Sequence, residues 1–174
     1  MQRLRKFVIP FTGLKDGKHN FEFDIDDRFF EQYESSEIQK GTVSVQVGVI
    51  KTPRFIELEF DISGTVHIMC DRCLDYFDLG TRYTGKLYFR FGEETYEQTE
   101  DVIILSSRET EICIDQYIYE FLHLTLPYKK IHPEIAGKSG CNIQMVNKLK
   151  SLSVQQVKEN DPRWDQLKKI KDKN

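Results

Sequence analysis

Hydrophobic and polar positions alternate through the first half of the chain. Valines occupy every second position of residues 42–49, and isoleucine, leucine or phenylalanine do the same in residues 56–62. Beyond Gly64 the alternation resumes in phase over residues 66–70. Strict alternation is typical of strands with one buried and one solvated face. The pattern therefore predicts an antiparallel meander over this region.

Further strands are predicted on both sides of the meander. Residues 3–9 and 20–25 precede it, and residues 82–91 follow it with alternating aromatic and charged positions. Residues 102–105 are a short apolar run that predicts one more strand. Residues 92–101 hold five carboxylates and almost nothing apolar, so they are predicted to be an exposed loop.

The helical signals come mainly later in the chain. Asp26 predicts the N-cap of one short early helix. Apolar residues at spacings of three and four over residues 114–125 predict an amphipathic helix that Pro127 ends. Asn142 and Asp161 are suited to begin two further helices. Without alternating βαβ units, the order predicts an α+β fold: an antiparallel sheet or small β-barrel core followed by helices in the C-terminal half.

Length and composition narrow the class of protein. The 174 residues (20.6 kDa) are 39% hydrophobic and 30% charged, as expected of one globular domain with extensions. The longest strongly apolar run is far too short to cross a membrane, and no signal-peptide core follows the basic residues near the N-terminus. The sequence thus predicts a cytoplasmic protein with no membrane partner.

Charge is unevenly distributed along the chain. Residues 1–127 carry 14 basic and 23 acidic side chains, whereas residues 128–174 carry 11 basic and 5 acidic ones. We therefore divide the chain into a β-rich acidic body over residues 1–127, ending in the amphipathic helix, and a basic, partly helical C-terminal extension over residues 128–174. An acidic body with a basic end suits a protein that approaches RNA with that end. A solvated lysine-rich tail explains the uneven charge equally well.

Four cysteines without a secretion signal are expected to be reduced thiols. Cys70 and Cys73, two residues apart at a strand end, could reach one tetrahedral metal ion such as zinc. A second pair at this spacing is absent, so the best further ligands are His132 and Cys141, which lie in one Gly- and Pro-containing segment. Cys113 adjoins the apolar helix and is predicted to be a small core residue.

The paired cysteines have two other interpretations. Redox catalysis of the thioredoxin type needs the first thiol at a helix N-terminus, and the stretch after Cys73 is too short and turn-bounded to be that helix. The pair could also simply pack a turn beneath the sheet, and the residues alone do not separate this from a zinc site. No catalytic motif accompanies the cysteines, so neither an enzyme nor a small-molecule substrate is predicted.

Basic side chains beside aromatic ones are candidates for nucleic-acid contact. Lysine and arginine neutralise phosphates, and Tyr128 and Trp164 could stack on exposed bases, although Trp164 is better explained as the anchor of the last helix. The candidate phosphate-binding residues are Arg72, Lys129, Lys130, Lys148, Lys150, Arg163, Lys168 and Lys169.

An ordered set of motifs resembles a known family. The set is the turn Cys70-Asp71-Arg72-Cys73-Leu74, a helix ending in Leu126-Pro127, and the segment 161–170, which begins Asp-Pro-Arg. In this order, over residues 40–172, the chain resembles the YceD-like family of large ribosomal RNA subunit accumulation proteins. The resemblance implies a role in large-subunit rRNA synthesis, processing or accumulation, with rRNA or a pre-ribosomal particle as partner.

The resemblance also bears on the cysteines. Many members carry two further cysteines after the Leu-Pro element, whereas this chain has only Cys141 there, and His132 with Cys141 could substitute for that pair. Cys70, Cys73, Arg72 and residues 161–163 match positions in the motifs of the family. The resemblance assigns no chemical role to any of them. The alternative functions are an adaptor whose acidic body binds a basic ribosomal protein without RNA contact, and a small zinc-binding module.

Overall fold

The computed structural model describes residues 6–34, 36–135 and 138–153. In chain order its elements are β1 (Val8–Ile9), β2 (Gly17–Ile25), α1 (Asp27–Phe30), β3 (Ile38–Lys51), β4 (Phe55–Met69), β5 (Tyr76–Gly92), β6 (Tyr96–Thr99), β7 (Val102–Ser106), β8 (Ile112–Cys113), α2 (Asp115–Leu124), β9 (Glu134–Ile135), β10 (Lys138–Ser139) and α3 (Ile143–Leu152). The predicted α+β class, with strands first and most helices late, is confirmed.

The main sheet has six strands in the order β2-β3-β4-β5-β7-β6. Strands β2 to β5 form the predicted antiparallel meander. The alternative of a closed small barrel is wrong, because β2 and β6 lie at opposite edges and do not pair with each other. The sheet stays open, and other elements of the chain cover its inner face.

The structure corrects three details of the predicted strands. β7 pairs with β5 in parallel, because the chain first turns outward to form β6 and then returns between them. The acidic segment 92–101 is exposed as predicted, but it contains β6, whose side chains are all exposed and leave no pattern of burial. β5 begins at Tyr76, before the predicted residue 82, because Gly80 pairs within the ladder opposite Thr65.

The N-terminal strand also differs from the prediction. Of the predicted residues 3–9, those described contribute only β1, a strand of two residues. β1 pairs with β8, from the far end of the body, as a separate two-stranded sheet. Local periodicity could not predict this pairing, because two residues are too few to show an alternating pattern.

Alternation places the apolar side chains of the meander on one face. The four valines of β3 and the even-numbered apolar residues of β4 from Ile56 to Ile68 are all buried, as predicted. α2 packs on this face, with Phe121 edge-on to Phe60 at a centroid distance of 5.2 Å. α1 buries two phenylalanines and begins at the predicted cap, where an Asp26 carboxylate oxygen accepts a hydrogen bond from Arg28 N–H.

The described chain divides after Cys141 into two compact units, and α3 belongs to the second. The side chain of Asn142 accepts hydrogen bonds from the backbone N–H groups of Gln144 and Met145, which confirms the predicted cap of α3. The predicted helix start at Asp161 lies outside the described residues. The division after residue 127, drawn from charge, stays a prediction. Within the described residues, every helix is too short or too polar to be a transmembrane span.

Gly64 and Gly80, two of the three glycines in the β4–β5 ladder, have opposite steric environments. A Cβ at Gly64 would lie 2.6 Å from Val43 Cα and would also overlap the Thr42 carbonyl oxygen, whereas a Cβ at Gly80 would meet nothing within 4 Å. We expect Gly64→Ala to lower the free energy of unfolding by about 2 kcal/mol or more, because backbone must move to admit the methyl group. Gly80→Ala, the matched control, should change it by less than about 1 kcal/mol. Urea unfolding followed by circular dichroism measures both, and equal effects would contradict the prediction.

Candidate metal centre

Cys70 and Cys73 lie on the tight turn that connects β4 to β5. Cys70 N–H donates to the carbonyl of Asp75 (3.0 Å), and Leu74 N–H donates back to the carbonyl of Cys70 (2.9 Å). Leu74 has a φ of 63°, a left-handed conformation that reverses the chain within this turn. Both cysteines are buried as a result.

The segment that carries His132 and Cys141 is bound to this turn by a reciprocal pair of hydrogen bonds. Asp71 N–H donates to the Lys130 carbonyl, and Lys130 N–H donates to Asp71 Oδ2, both at 2.7 Å. After His132 the chain forms the β9–β10 hairpin, so Cys141 returns to the same place. Gly140 permits this return, because a Cβ there would lie 3.0 Å from the Pro133 carbonyl oxygen.

The four predicted ligands come together in one cluster. One ligand atom from each of Cys70, Cys73, His132 and Cys141 lies within 4.8 Å of the other three. Cys70 Sγ is 3.9 Å from Cys141 Sγ, and Cys73 Sγ is 3.4 Å from His132 Nδ1. Zinc–sulfur bonds of about 2.3 Å in a tetrahedron place two sulfurs roughly 3.8 Å apart. The cluster could therefore hold a metal ion, and its three thiols and one imidazole are compatible with zinc.

Electrostatics favour the thiolate form that a metal requires. Burial alone would raise the pKa of the Cys70 thiol, but hydrogen bonds from the backbone of Cys73, Arg72 and His132, and from the His132 side chain, lower that pKa to about 6. The His132 ring packs against Phe77 at a centroid distance of 4.6 Å, which gives the cluster an apolar wall. A thiolate at neutral pH is the form of cysteine that binds zinc.

The turn does not have the geometry of a thioredoxin-like redox pair. In thioredoxin-like proteins the paired cysteines begin a helix, whereas the residues after Cys73 lead into β5. Cys113 lies outside the cluster: it is half-buried in β8, and its thiol donates to Asp115 Oδ1 at 3.0 Å. The prediction that Cys113 is a core residue is therefore only partly met.

The predicted nucleic-acid residues fall into different environments. Arg72 and Lys129 are exposed beside the cluster, one on each of the two segments that the hydrogen bonds join. Lys130 is half-buried, and its Nζ lies 2.8 Å from Glu37 Oε2, a hydrogen bond that raises the pKa of Lys130. Lys148 and Lys150 are exposed on α3, in the second unit.

The remaining three basic candidates, Arg163, Lys168 and Lys169, lie outside the described residues. Glu37 and Asp71, the two acidic partners of Lys130, were missed by the sequence analysis. Asp71 had a usable signal in its place inside the cysteine turn. Glu37 had none, because it is remote in sequence from every residue of the cluster. Tyr128, predicted as a stacking side chain, is 97% exposed.

The Asp71 carboxylate is expected to hold the ligand segment against the turn. We expect Asp71→Ala to lower the free energy of unfolding by about 1–3 kcal/mol, because Lys130 N–H loses its acceptor. In metal-free protein, Cys141 should then react several-fold faster with a maleimide. Asp71→Asn keeps an acceptor oxygen and should stay close to the wild type. Equal reactivity in Asp71→Ala and wild type would contradict this role.

Comparison with known proteins places these elements in one family. A family model described as large ribosomal RNA subunit accumulation protein YceD matches residues 58–171, which include the cysteine turn, α2 and the segment with His132 and Cys141. No curated protein and no solved structure matches the chain. The matched region covers most of the sequence and confirms the resemblance drawn from the motifs. The chain belongs to the YceD family of large ribosomal RNA subunit accumulation proteins.

Proposed function

We propose that this chain is a non-enzymatic factor that supports the synthesis, processing or accumulation of large-subunit rRNA and contacts that RNA directly. The contact would lie next to a structural zinc ion held by Cys70, Cys73, His132 and Cys141. The observation that carries the proposal is the convergence of these four ligand atoms, from two distant segments that also carry exposed basic and aromatic side chains. The family supplies the link to large-subunit rRNA.

A structural role for the metal follows from the donor set. Three thiolates and one imidazole complete a tetrahedral shell, so no position is left for a water molecule or a substrate. Three of the four ligands are buried and the fourth, His132, is half-buried against Phe77. Zinc bound here would act as a cross-link between the β4–β5 turn and the segment that follows α2, and would supply no catalytic chemistry.

The surface next to the cluster has the features of a contact for unpaired RNA. Arg72 is adjacent to Asp71, and Lys129 is adjacent to Lys130, so the Asp71–Lys130 hydrogen bonds bring the two exposed cations onto neighbouring segments. Tyr128, with almost no protein contact, offers a free aromatic face. Cations bind phosphates and aromatic rings stack on bases in single-stranded RNA recognition. We define Arg72, Tyr128 and Lys129 as the knuckle surface.

A second candidate is the adaptor that binds a basic ribosomal protein without touching RNA. It is favoured by the segment around β6, where Glu93, Glu94, Glu97, Glu100 and Asp101 are all exposed at one edge of the sheet. A basic protein partner would be drawn to this edge by charge. The two candidates place the contact on different surfaces, so one set of variants separates them.

The zinc proposal predicts a specific metal stoichiometry. Purified protein should contain about one zinc per chain by mass spectrometry of the metal, and Cys73→Ser should lose most of it because one of four ligands is removed. Cys113→Ser changes a cysteine outside the cluster and should keep the zinc. Protein without zinc, whose melting temperature does not rise when zinc is added, would support the simple packing interpretation of the cysteines.

The RNA proposal predicts that the knuckle surface crosslinks to large-subunit rRNA in cells. Combining Arg72→Ala, Tyr128→Ala and Lys129→Ala should reduce crosslinked rRNA about tenfold or more, because two phosphate contacts and one stacked base are lost. In vitro, the logarithm of the RNA-binding constant should fall less steeply with the logarithm of the salt concentration for this variant, by the amount expected for about two lost phosphate contacts.

The matched control combines Lys15→Ala, Arg54→Ala and Tyr96→Ala, which remove exposed side chains of similar chemistry away from the cysteine turn. These changes should leave crosslinking unaltered. Lys168→Ala with Lys169→Ala tests the basic C-terminal segment in the same assay. Unchanged crosslinking in both the knuckle and the C-terminal variants would contradict direct contact through these residues. No rRNA enrichment at all, with a basic protein recovered instead, would favour the adaptor.

A further inference from the structure

The outer edge of β2 ends the main sheet on one side. β2 is a regular strand of nine residues that pairs with β3 without a bulge, and within the described residues no strand pairs with its other edge. An open edge of this length presents a row of backbone donors and acceptors to any strand that fits it. The opposite edge strand, β6, has only four residues.

The hydrogen-bond pattern shows which residues face outward. The Asp24 carbonyl accepts a hydrogen bond from Lys6 Nζ, at 3.2 Å, beyond the edge. On β3, Gly41 N–H donates to Asp27 Oδ1, just past the end of β2, so the odd-numbered residues of β3 direct their backbone groups toward β2. The odd-numbered residues of β2 are their partners. Even-numbered residues of β2 therefore offer their N–H and C=O groups to the open edge.

The charges on this edge are self-complementary about Phe21. If two β2 strands pair antiparallel with Phe21 at the centre, Lys18 lies opposite Asp24 of the second copy, and Asn20 lies opposite Glu22. Two-fold symmetry repeats each pair. Both pairs join even-numbered residues, as the outward backbone groups require. All four side chains are exposed, and Glu22 also accepts a hydrogen bond from Gln46 Nε2 at 3.3 Å within its own chain.

The other face of the same edge is aromatic. Phe21 and Phe23 are half-buried, with their rings stacked at a centroid distance of 6.5 Å. In the centred pairing, Phe21 meets Phe21 of the second copy, and Phe23 meets His19. Cross-strand aromatic pairs and opposite charges each stabilise a strand pair. Both faces of the edge therefore favour the same register.

We propose that β2 is a dimerisation edge, at which two copies of this chain join their sheets into one continuous twelve-stranded sheet with Phe21 on the two-fold axis. About eight backbone hydrogen bonds would form between the strands. The incoming strand would replace the exposed hydrogen bond between Lys6 Nζ and the Asp24 carbonyl. This inference is independent of the zinc and RNA proposals, because β2 contributes no residue to the cluster or the knuckle surface.

Sedimentation velocity on the full chain tests the dimer between about 1 and 200 µM, the range in which small interfaces associate. The wild type should move from one chain mass of 20.6 kDa toward twice that mass as its concentration rises. Lys18→Glu and Asp24→Lys should each weaken association tenfold or more, because each variant opposes like charges twice in the symmetric dimer.

Charge exchange tests the register itself. A mixture of Lys18→Glu with Asp24→Lys should form a heterodimer, and one chain with both substitutions should regain dimerisation. Asn20→Pro removes an outward N–H without touching the β3 ladder and should give a folded monomer. Arg82→Glu, the same change in charge at an exposed position of β5, is the control and should still dimerise. A monomeric wild type, or single variants that dimerise like the wild type, would overturn the proposal.

Discussion

The ladder between β4 and β5 is the constraint on which the candidate site depends. These strands, of 15 and 17 residues, pair from Phe55 opposite Arg90 to Met69 opposite Tyr76. The ladder leaves six residues, 70–75, to reverse the chain, and two of them are cysteines. A short turn at the end of a long ladder has little conformational freedom, so the thiols are positioned before any metal binds.

The second half of the cluster is held by polar contacts instead of by a sheet. The Asp71–Lys130 hydrogen bonds and the Lys130–Glu37 ion pair join the segment after α2 to the β4–β5 turn and to the entrance of β3. Three stretches of chain therefore meet at Lys130. Its ammonium group is engaged with Glu37, so the exposed cations of the proposed knuckle surface are Arg72 and Lys129.

The sequence predicted those features that depend on local periodicity or on residue type. The meander, α1, α2 and the cap of α3 were all visible in it, because alternation and helical spacing report burial directly. The four ligands were also found, since cysteine and histidine are few and their chemistry is specific. The parallel pairing of β5 with β7, the strand character of β6 and the anchoring role of Glu37 could not be predicted. Each of these features depends on where distant segments of the chain meet. Exposed residues show no periodic pattern from which such a meeting could be predicted.

The pairing of β1 with β8 has a consequence for synthesis of the chain. Among the described residues, Val8 and Ile9 gain their strand partner only when residues 112 and 113 have been made. At about 5–20 residues per second, this interval lasts roughly 5–20 s. The central hairpins, whose strands are consecutive, can form during that time. The pairing of β1 with β8 therefore forms only after all six strands of the main sheet have been synthesised.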